Sequence, residues 1–296
     1  MTLDPKQLQA LERAVEQALQ SGDESGLRVL GYGEISAVLA VDTPEGRFAA
    51  KRLPPFSGAS VLVSYRNTLE SYIAALETAG VRVVPTDLCS VTRPDGSLTA
   101  YAVQPILDPA TLGPVMLAKA DDSEAERLLA DIVTQVLAAV TPVLGLDGQL
   151  SNWAWNDDAW SYLDVTTPLM RDARGRELLD VELFLCSLPW ALRPVVRRFM
   201  LRGILDKYYE PRGVLLDLAG NLHKEGLGHA IPALLGQANR HVSPDITSSE
   251  VKDYYASDAR TWALLQQLRR ADRVWQRRVR RRSYGFLLPG AIERRV

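Results

Sequence analysis

Asp147-Gly148-Gln149-Leu150-Ser151-Asn152, then Trp153-Ala154-Trp155, the turn Asn156-Asp157-Asp158, and Tyr162-Leu163-Asp164-Val165 form the stretch on which the reading of the fold turns. An Asp and an Asn stand five residues apart in a Gly-containing loop, and a second Asp follows twelve residues after that Asn at the end of an apolar run. Two short aromatic runs around an Asn-Asp-Asp turn read as a β-hairpin. Such a hairpin returns the chain to the loop it left, so Asn152 and Asp164 can meet at one hard, oxygen-seeking cation. Asp147 is then the carboxylate left to orient or accept the proton of a hydroxyl. Taken alone, the loop is equally a Gly-rich turn between a helix and a strand, and Asp164 a strand-terminal cap.

Working back toward the N-terminus, the sequence alternates as strands do. Leu27 to Leu30, the turn Gly31-Tyr32-Gly33, Ala37 to Val41, the turn Thr43-Pro44-Glu45-Gly46 and Arg47 to Leu53 predict three successive strands. Glycine lets backbone amides approach a ligand closely, so the Gly31–Ser36 loop, with Gly33 between, can cover a phosphate chain; it can also be a turn that needs positive φ. Lys51 lies on the third strand. Glu70 follows nineteen residues later in a segment, 62–79, whose Leu69, Tyr72, Ile73 and Leu76 recur at helical spacing. At 100° per residue Glu70 falls on the edge of that face, where it can turn inward to pair with Lys51; the plainer reading is two surface charges. A hairpin follows, 86–92 and Leu98 to Gln104 around Pro94-Asp95-Gly96. Before all of these, Asp4-Pro5 starts a helix with a Leu8, Leu11, Val15 and Leu19 stripe.

After Pro105 the period becomes helical: a helix from about 123 to 140, the loop and hairpin described above, then helices to the end. The expected class is α+β, with a strand-rich part over 1–107 and a helical part over 108–296. Asp217, Asn221, His223, Lys224 and Glu225 gather polar groups in one segment, as a substrate contact or a helix end would. Arg193, Arg197, Arg198 and Arg202 suit an anionic ligand or a plain solvated helix face.

An apolar fraction of 47% and a charged fraction of 24% in 296 residues suit a globular chain with a sizeable core. Cys89 and Cys186, far apart, suggest neither a disulfide framework nor a zinc cluster. No basic-then-apolar leader opens the sequence, and no apolar run reaches the ~18 residues of a membrane span. A reducing cytoplasm is the expected compartment, with no membrane partner. The net charge of −2 is divided unevenly: eleven Arg against Asp272 and Glu293 make +9 over 260–296, which leaves −11 for 1–259. Such a tail is compatible with nucleic acid, a membrane surface or an acidic partner. Because Leu264, Leu268, Ala271 and Trp275 repeat at helical spacing, the favoured expectation is a structural helix that packs Leu264, Leu268 and Trp275 inward and solvates its Arg face; nucleic acid is not the expected partner.

The order and spacing of these signals resemble the protein-kinase-like superfamily, and its bacterial small-molecule branch of aminoglycoside phosphotransferases and fructosamine kinases most, over Leu27 to Val165. The resemblance implies a bilobal fold, with a small β-rich lobe carrying a five-stranded sheet and a larger helical lobe. It implies ATP and Mg²⁺ as cofactors, with phosphates under Gly31, Gly33 and Ser36 and against Lys51, itself held by Glu70. It further implies adenine against the backbone of Gln104 to Ile106, metal on Asn152 and Asp164, and Asp147 as catalytic base toward a hydroxyl of a small-molecule acceptor. The sequence departs from the pattern in several places: the loop lacks its third glycine, Gly145-Leu146 replaces a His two residues before Asp147, Gln149 replaces the Lys or His two residues after it, and Val165-Thr166 follows Asp164. These departures leave room for a non-catalytic nucleotide-binding scaffold, or for a relative that transfers AMP.

Overall fold

A computed structural model describes residues 3–33, 36–93, 96–190, 192–281 and 284–287. Helix α1 (Pro5–Ser21) starts at a capping box: the Asp4 carboxylate accepts from the Lys6 amide at 2.7 Å, while the Asp4 amide donates to Gln7 Oε1 at 3.0 Å. Gly22, at φ 80°, ends it in the left-handed conformation. Strands β1 (Val29–Tyr32), β2 (Ala37–Thr43) and β3 (Gly46–Arg52) follow, then α2 (Ala59–Thr78), β4 (Arg82–Val83), β5 (Asp87–Thr92) and β6 (Leu98–Pro105). The expected antiparallel sheet forms with strand order β1-β2-β3-β6-β5. Of the turns anticipated here, Glu34-Ile35 and Pro94-Asp95 lie outside the described residues.

The second half adds α3 (Gly113–Lys119), α4 (Asp122–Ala139) and the predicted hairpin β7 (Trp153–Asn156) and β8 (Ala159–Tyr162). Beyond these come the short α5 (Glu182–Leu185), α6 (Arg193–Val195) and α7 (Leu201–Asp206), then α8 (Pro211–Lys224), α9 (Ile231–Ala238) and the 31-residue α10 (Ser248–Arg278). The chain is therefore α+β, its antiparallel sheet N-terminal and its helices mostly C-terminal. Among the described residues no helix is long and apolar enough to cross a membrane.

Two cores hold the elements. Leu8, Val15 and Leu19 of α1 pack with Leu39, Ala50, Tyr101 and Val103 on one side of the five-stranded sheet. On the other side, the buried α2 stripe Leu62, Tyr65, Leu69, Tyr72 and Leu76 joins a continuous core with α4, α8, α9 and the β7–β8 hairpin. The break expected at 107/108 is thus not a break in packing. Strand β4 runs parallel to β8, in a second sheet of order β4-β8-β7, so N-terminal sequence is built into the framework of the loop that holds Asp147.

The C-terminal helix departs from expectation. Leu264 is 56% and Trp275 50% exposed, and Leu268 is half-buried. Gln266 and Arg269, at 5% and 4%, point inward instead, and Arg269 Nη2 donates to Ser187 Oγ at 3.0 Å. The Leu264/Leu268/Trp275 row is centred about 100° or more from the Gln266/Arg269 row at helical pitch, so one face can be inside only by turning the other out.

Candidate functional site

The side chains read from the sequence converge where the five-stranded sheet meets the helices. Lys51 on β3 and Asp164, just past β8, are 113 residues apart, yet Lys51 Nζ donates to Asp164 Oδ1 at 2.7 Å. The same oxygen accepts from Thr166 Oγ1 at 2.8 Å. Burial raises the Asp164 carboxyl, but the charge and hydrogen bond of Lys51 and the Thr166 donors outweigh it and hold the carboxyl below its ordinary value. The Leu163 amide donates to the Asn152 carbonyl at 2.8 Å, which sets Asp164 beside Asn152 as the hairpin reading requires.

Asn152 Nδ2 is spent on the Asp147 carbonyl at 3.1 Å, so its Oδ1 is the atom left to face a cation. Together with Asp164 it offers two oxygen ligands. Among the described residues no group of three or more His, Cys, Asp or Glu could hold a metal ion. A two-oxygen site suits an ion that keeps waters and phosphate oxygens in its shell, as Mg²⁺ does, rather than one that needs an all-protein cage.

Asp147 is half-buried, and its Oδ1 accepts from the Gln149 amide at 3.3 Å. Burial first, then the carboxylates of Asp217 and Asp164, push its carboxyl up to about 7; the Gln149 amide and the charge of Lys207 act in the opposite direction. A carboxyl so tuned can exchange a proton near neutrality.

The loop is locked by contacts that local sequence patterns do not reveal. Gly148 sits so close to α8 that a Cβ would lie 2.6 Å from Val214 Cγ1, and one at Gly145 would lie 2.9 Å from the Tyr208 carbonyl. The absence of a His at position 145 has a steric reason, since no side chain fits there. Tyr72 of α2 donates to the Gly145 carbonyl at 3.0 Å, and Tyr65 to the Thr166 carbonyl at 2.8 Å. From α8, Asp217 accepts from Gln149 Nε2 at 3.3 Å and Asn221 donates to Gln149 Oε1 at 3.0 Å. Asp217 also accepts from Lys207 Nζ at 2.7 Å and from the Tyr254 hydroxyl. The Asp217 and Asn221 pair, one helical turn apart, is therefore the inner face of α8 rather than a capped helix end.

Glu70 is the one expected ligand that the fold turns away. The two tyrosines shift the buried α2 face, so Glu70 points about 120° from its centre at helical pitch and is exposed. Lys51 takes Asp164 as its partner instead. Glu70→Ala should consequently leave ligand-induced stabilisation at Lys51 unchanged in a thermal-shift titration.

The remaining expected contacts fall along the sheet. Gly31 pairs with Val38 just after a register shift in β1, and the Gly33 amide donates to the Ser36 carbonyl at 2.8 Å. Neither glycine has positive φ, and a Cβ at Gly33 would lie 2.7 Å from Ser36 Oγ, a hydroxyl that can turn aside. Gln104 Nε2 donates to Thr86 Oγ1 and the Leu163 carbonyl, both at 2.8 Å, and so ties the end of β6 to the segment before Asp164. The Ile106 amide faces the Arg47 carbonyl at 3.4 Å, beyond the usual range, and a ligand there would have to exchange with that contact.

A comparison with curated proteins gives no match. A family model covers residues 10–273, which includes every residue of the site from Gly31 to Asp164 and the α8 and α10 residues that brace it. On that coverage the chain belongs to the family of unknown function DUF6206.

Proposed function

We propose that this chain has a bilobal protein-kinase-like fold and is an ATP- and Mg²⁺-dependent phosphotransferase acting on a hydroxyl of a small-molecule acceptor. The observation that carries this reading is the Lys51–Asp164 pair at 2.7 Å, closed across 113 residues beside Asn152 and Asp147. A cation from the sheet and a carboxylate from the helical part thus meet at one point, which supports a site where a phosphate needs a cation and its metal ion an oxygen ligand. ATP supplies the phosphoryl group, and Mg²⁺ offsets its charge. Lys51 holds the phosphates under the Gly31–Ser36 loop, and Asn152 with Asp164 holds the metal. Asp147 orients the acceptor hydroxyl and takes its proton, while Gln149, Asp217 and Asn221 keep its loop in place.

A second reading, a nucleotide-binding scaffold without transfer, is favoured by one observation: the outward Glu70 leaves Lys51 without the helix carboxylate the resemblance implied. Transfer of AMP instead of phosphate would use the same residues.

Binding is tested first. Millimolar Mg-ATP should raise the melting temperature, because a ligand at about 100 times its Kd stabilises by about 2.7 kcal/mol. Lys51→Ala should weaken that shift, and Asp164→Ala should remove its dependence on Mg²⁺. Folded wild-type protein that does not respond to Mg-ATP would overturn both nucleotide readings. A response without release of labelled phosphate to any acceptor in a metabolite extract would leave the scaffold.

A further inference from the structure

We infer that residues 284–287, which follow α10, form a strap that ties the back of the five-stranded sheet to the helical part and so positions Lys51 on β3. The back is the side covered by α1. Its core is built from side chains between Leu3 and Val103, and among the described residues Leu287 is the one from beyond Val103 that enters it, 9% exposed. Two residues earlier, the Gly285 carbonyl accepts from Arg52 Nη1 at 3.2 Å. Tyr284, at the other end of the segment, is buried against the helical part. Its hydroxyl faces the Ser187 carbonyl at 3.5 Å, and Arg269 of α10 donates to Oγ of the same serine at 3.0 Å.

Arg52 is the point at which the strap acts on the site. It gives Nε and Nη2 to Glu12 of α1 and Nη1 to Gly285, so one guanidinium joins α1, β3 and the strap. Successive side chains of a strand point to opposite faces, so Arg52 reaches the back while its neighbour Lys51 reaches Asp164 at the front. The front of the sheet is fixed to the helical part already, because α2 belongs to the continuous core. Leu287 and Gly285 supply the matching tie behind it. With the strap released, β3 is free to tilt over α2, and the Lys51–Asp164 contact moves with it. The hold on β3 needs no nucleotide; the consequence for Mg-ATP rests on the proposed function.

Hydrogen–deuterium exchange of the full chain tests the hold. Leu287→Asp should speed exchange of the β3 amides at least about tenfold, a rough figure for losing one buried leucine, and leave the α8 amides as protected as in wild type. Leu287→Ala gives the same pattern in smaller measure and decides the matter if the charged variant does not fold, while Leu287→Met should restore wild-type exchange. In a thermal-shift titration the half-saturating Mg-ATP concentration should rise about tenfold where β3 is correctly placed a tenth of the time, and return in Leu287→Met. Unchanged β3 exchange in the variants would overturn the inference, and so would an equal rise in α8, the mark of plain destabilisation. Faster β3 exchange with unchanged half-saturation would overturn the positioning of Lys51. Wild type that ignores Mg-ATP would remove the proposed function, and β3 exchange alone would then decide the strap. A dimer in light scattering that Leu287→Asp dissolves would overturn it too, by assigning the segment to a second copy.

Discussion

Asp147→Asn is expected to lose about 10²–10⁴-fold in the rate of label transfer from γ-labelled ATP to an acceptor, the usual size of a general-base contribution. The change keeps size and hydrogen bonding and removes the charge that attracts the hydroxyl proton. Asp147 is not one of the two oxygen ligands, so the variant should keep the Mg-ATP thermal shift of wild type. The loop should also keep its form, since Tyr72, Asp217 and Asn221 hold its neighbours, and an Asn oxygen can still accept from the Gln149 amide. Transfer at equal rates in variant and wild type would remove Asp147 from the mechanism. Loss of the thermal shift as well would mean that the carboxylate belongs to the metal site.

What the sequence made legible was local. The Asp4-Pro5 start of α1, the strand pairs and the β7–β8 hairpin follow from caps, turns and period, and the hairpin alone brings Asn152 to Asp164. Glu70 was misjudged because the buried face of α2 is set by Tyr65 and Tyr72, whose hydroxyls reach the Thr166 and Gly145 carbonyls across the fold. Lys207, Asp217 and Tyr254 come from three helical segments and meet only in the tertiary structure, so no spacing announces them. On α10 the apolar row was taken as the inward one, the rule for a helix on a core. There the inward positions are Gln266 and Arg269, so helical period alone does not say which face meets the core. Glu12 shows the same limit: it lies on the stripe of α1 that carries Leu8 and Val15, and a helical Glu reads as solvated until its partner is known.

That partner is Arg52, the residue after Lys51, and Glu12→Gln is expected to destabilise the protein by about 3–5 kcal/mol, the range for uncoupling a buried ion pair. Arg52 is 5% exposed and gives Nε and Nη2 to the two Glu12 oxygens at 2.9 and 2.8 Å. Tyr101 and Arg93 converge on the same carboxylate. Gln can satisfy one side of that fork, but it leaves a guanidinium charge inside the protein uncompensated. Replacing both partners, Glu12→Leu with Arg52→Met, should recover much of the loss, because the desolvation cost of both charges disappears together. The pair also fixes a pH dependence. Burial raises the Glu12 carboxyl, but Arg52, Tyr101 and Arg93 outweigh it, so the folded carboxyl lies below its ordinary value. A depressed carboxyl contributes its stability above the unfolded pKa of about 4.3 and loses it as pH falls through the folded value. In urea unfolding, wild type minus the double variant should therefore be level above about pH 5 and fall below it. A level difference down to pH 3, or Glu12→Gln as stable as wild type, would show that α1 holds β3 through Leu8, Val15 and Leu19 alone. Because Lys51 shares that strand, loosening it in Glu12→Gln should also weaken the Mg-ATP shift, even though Glu12 lies in the other core.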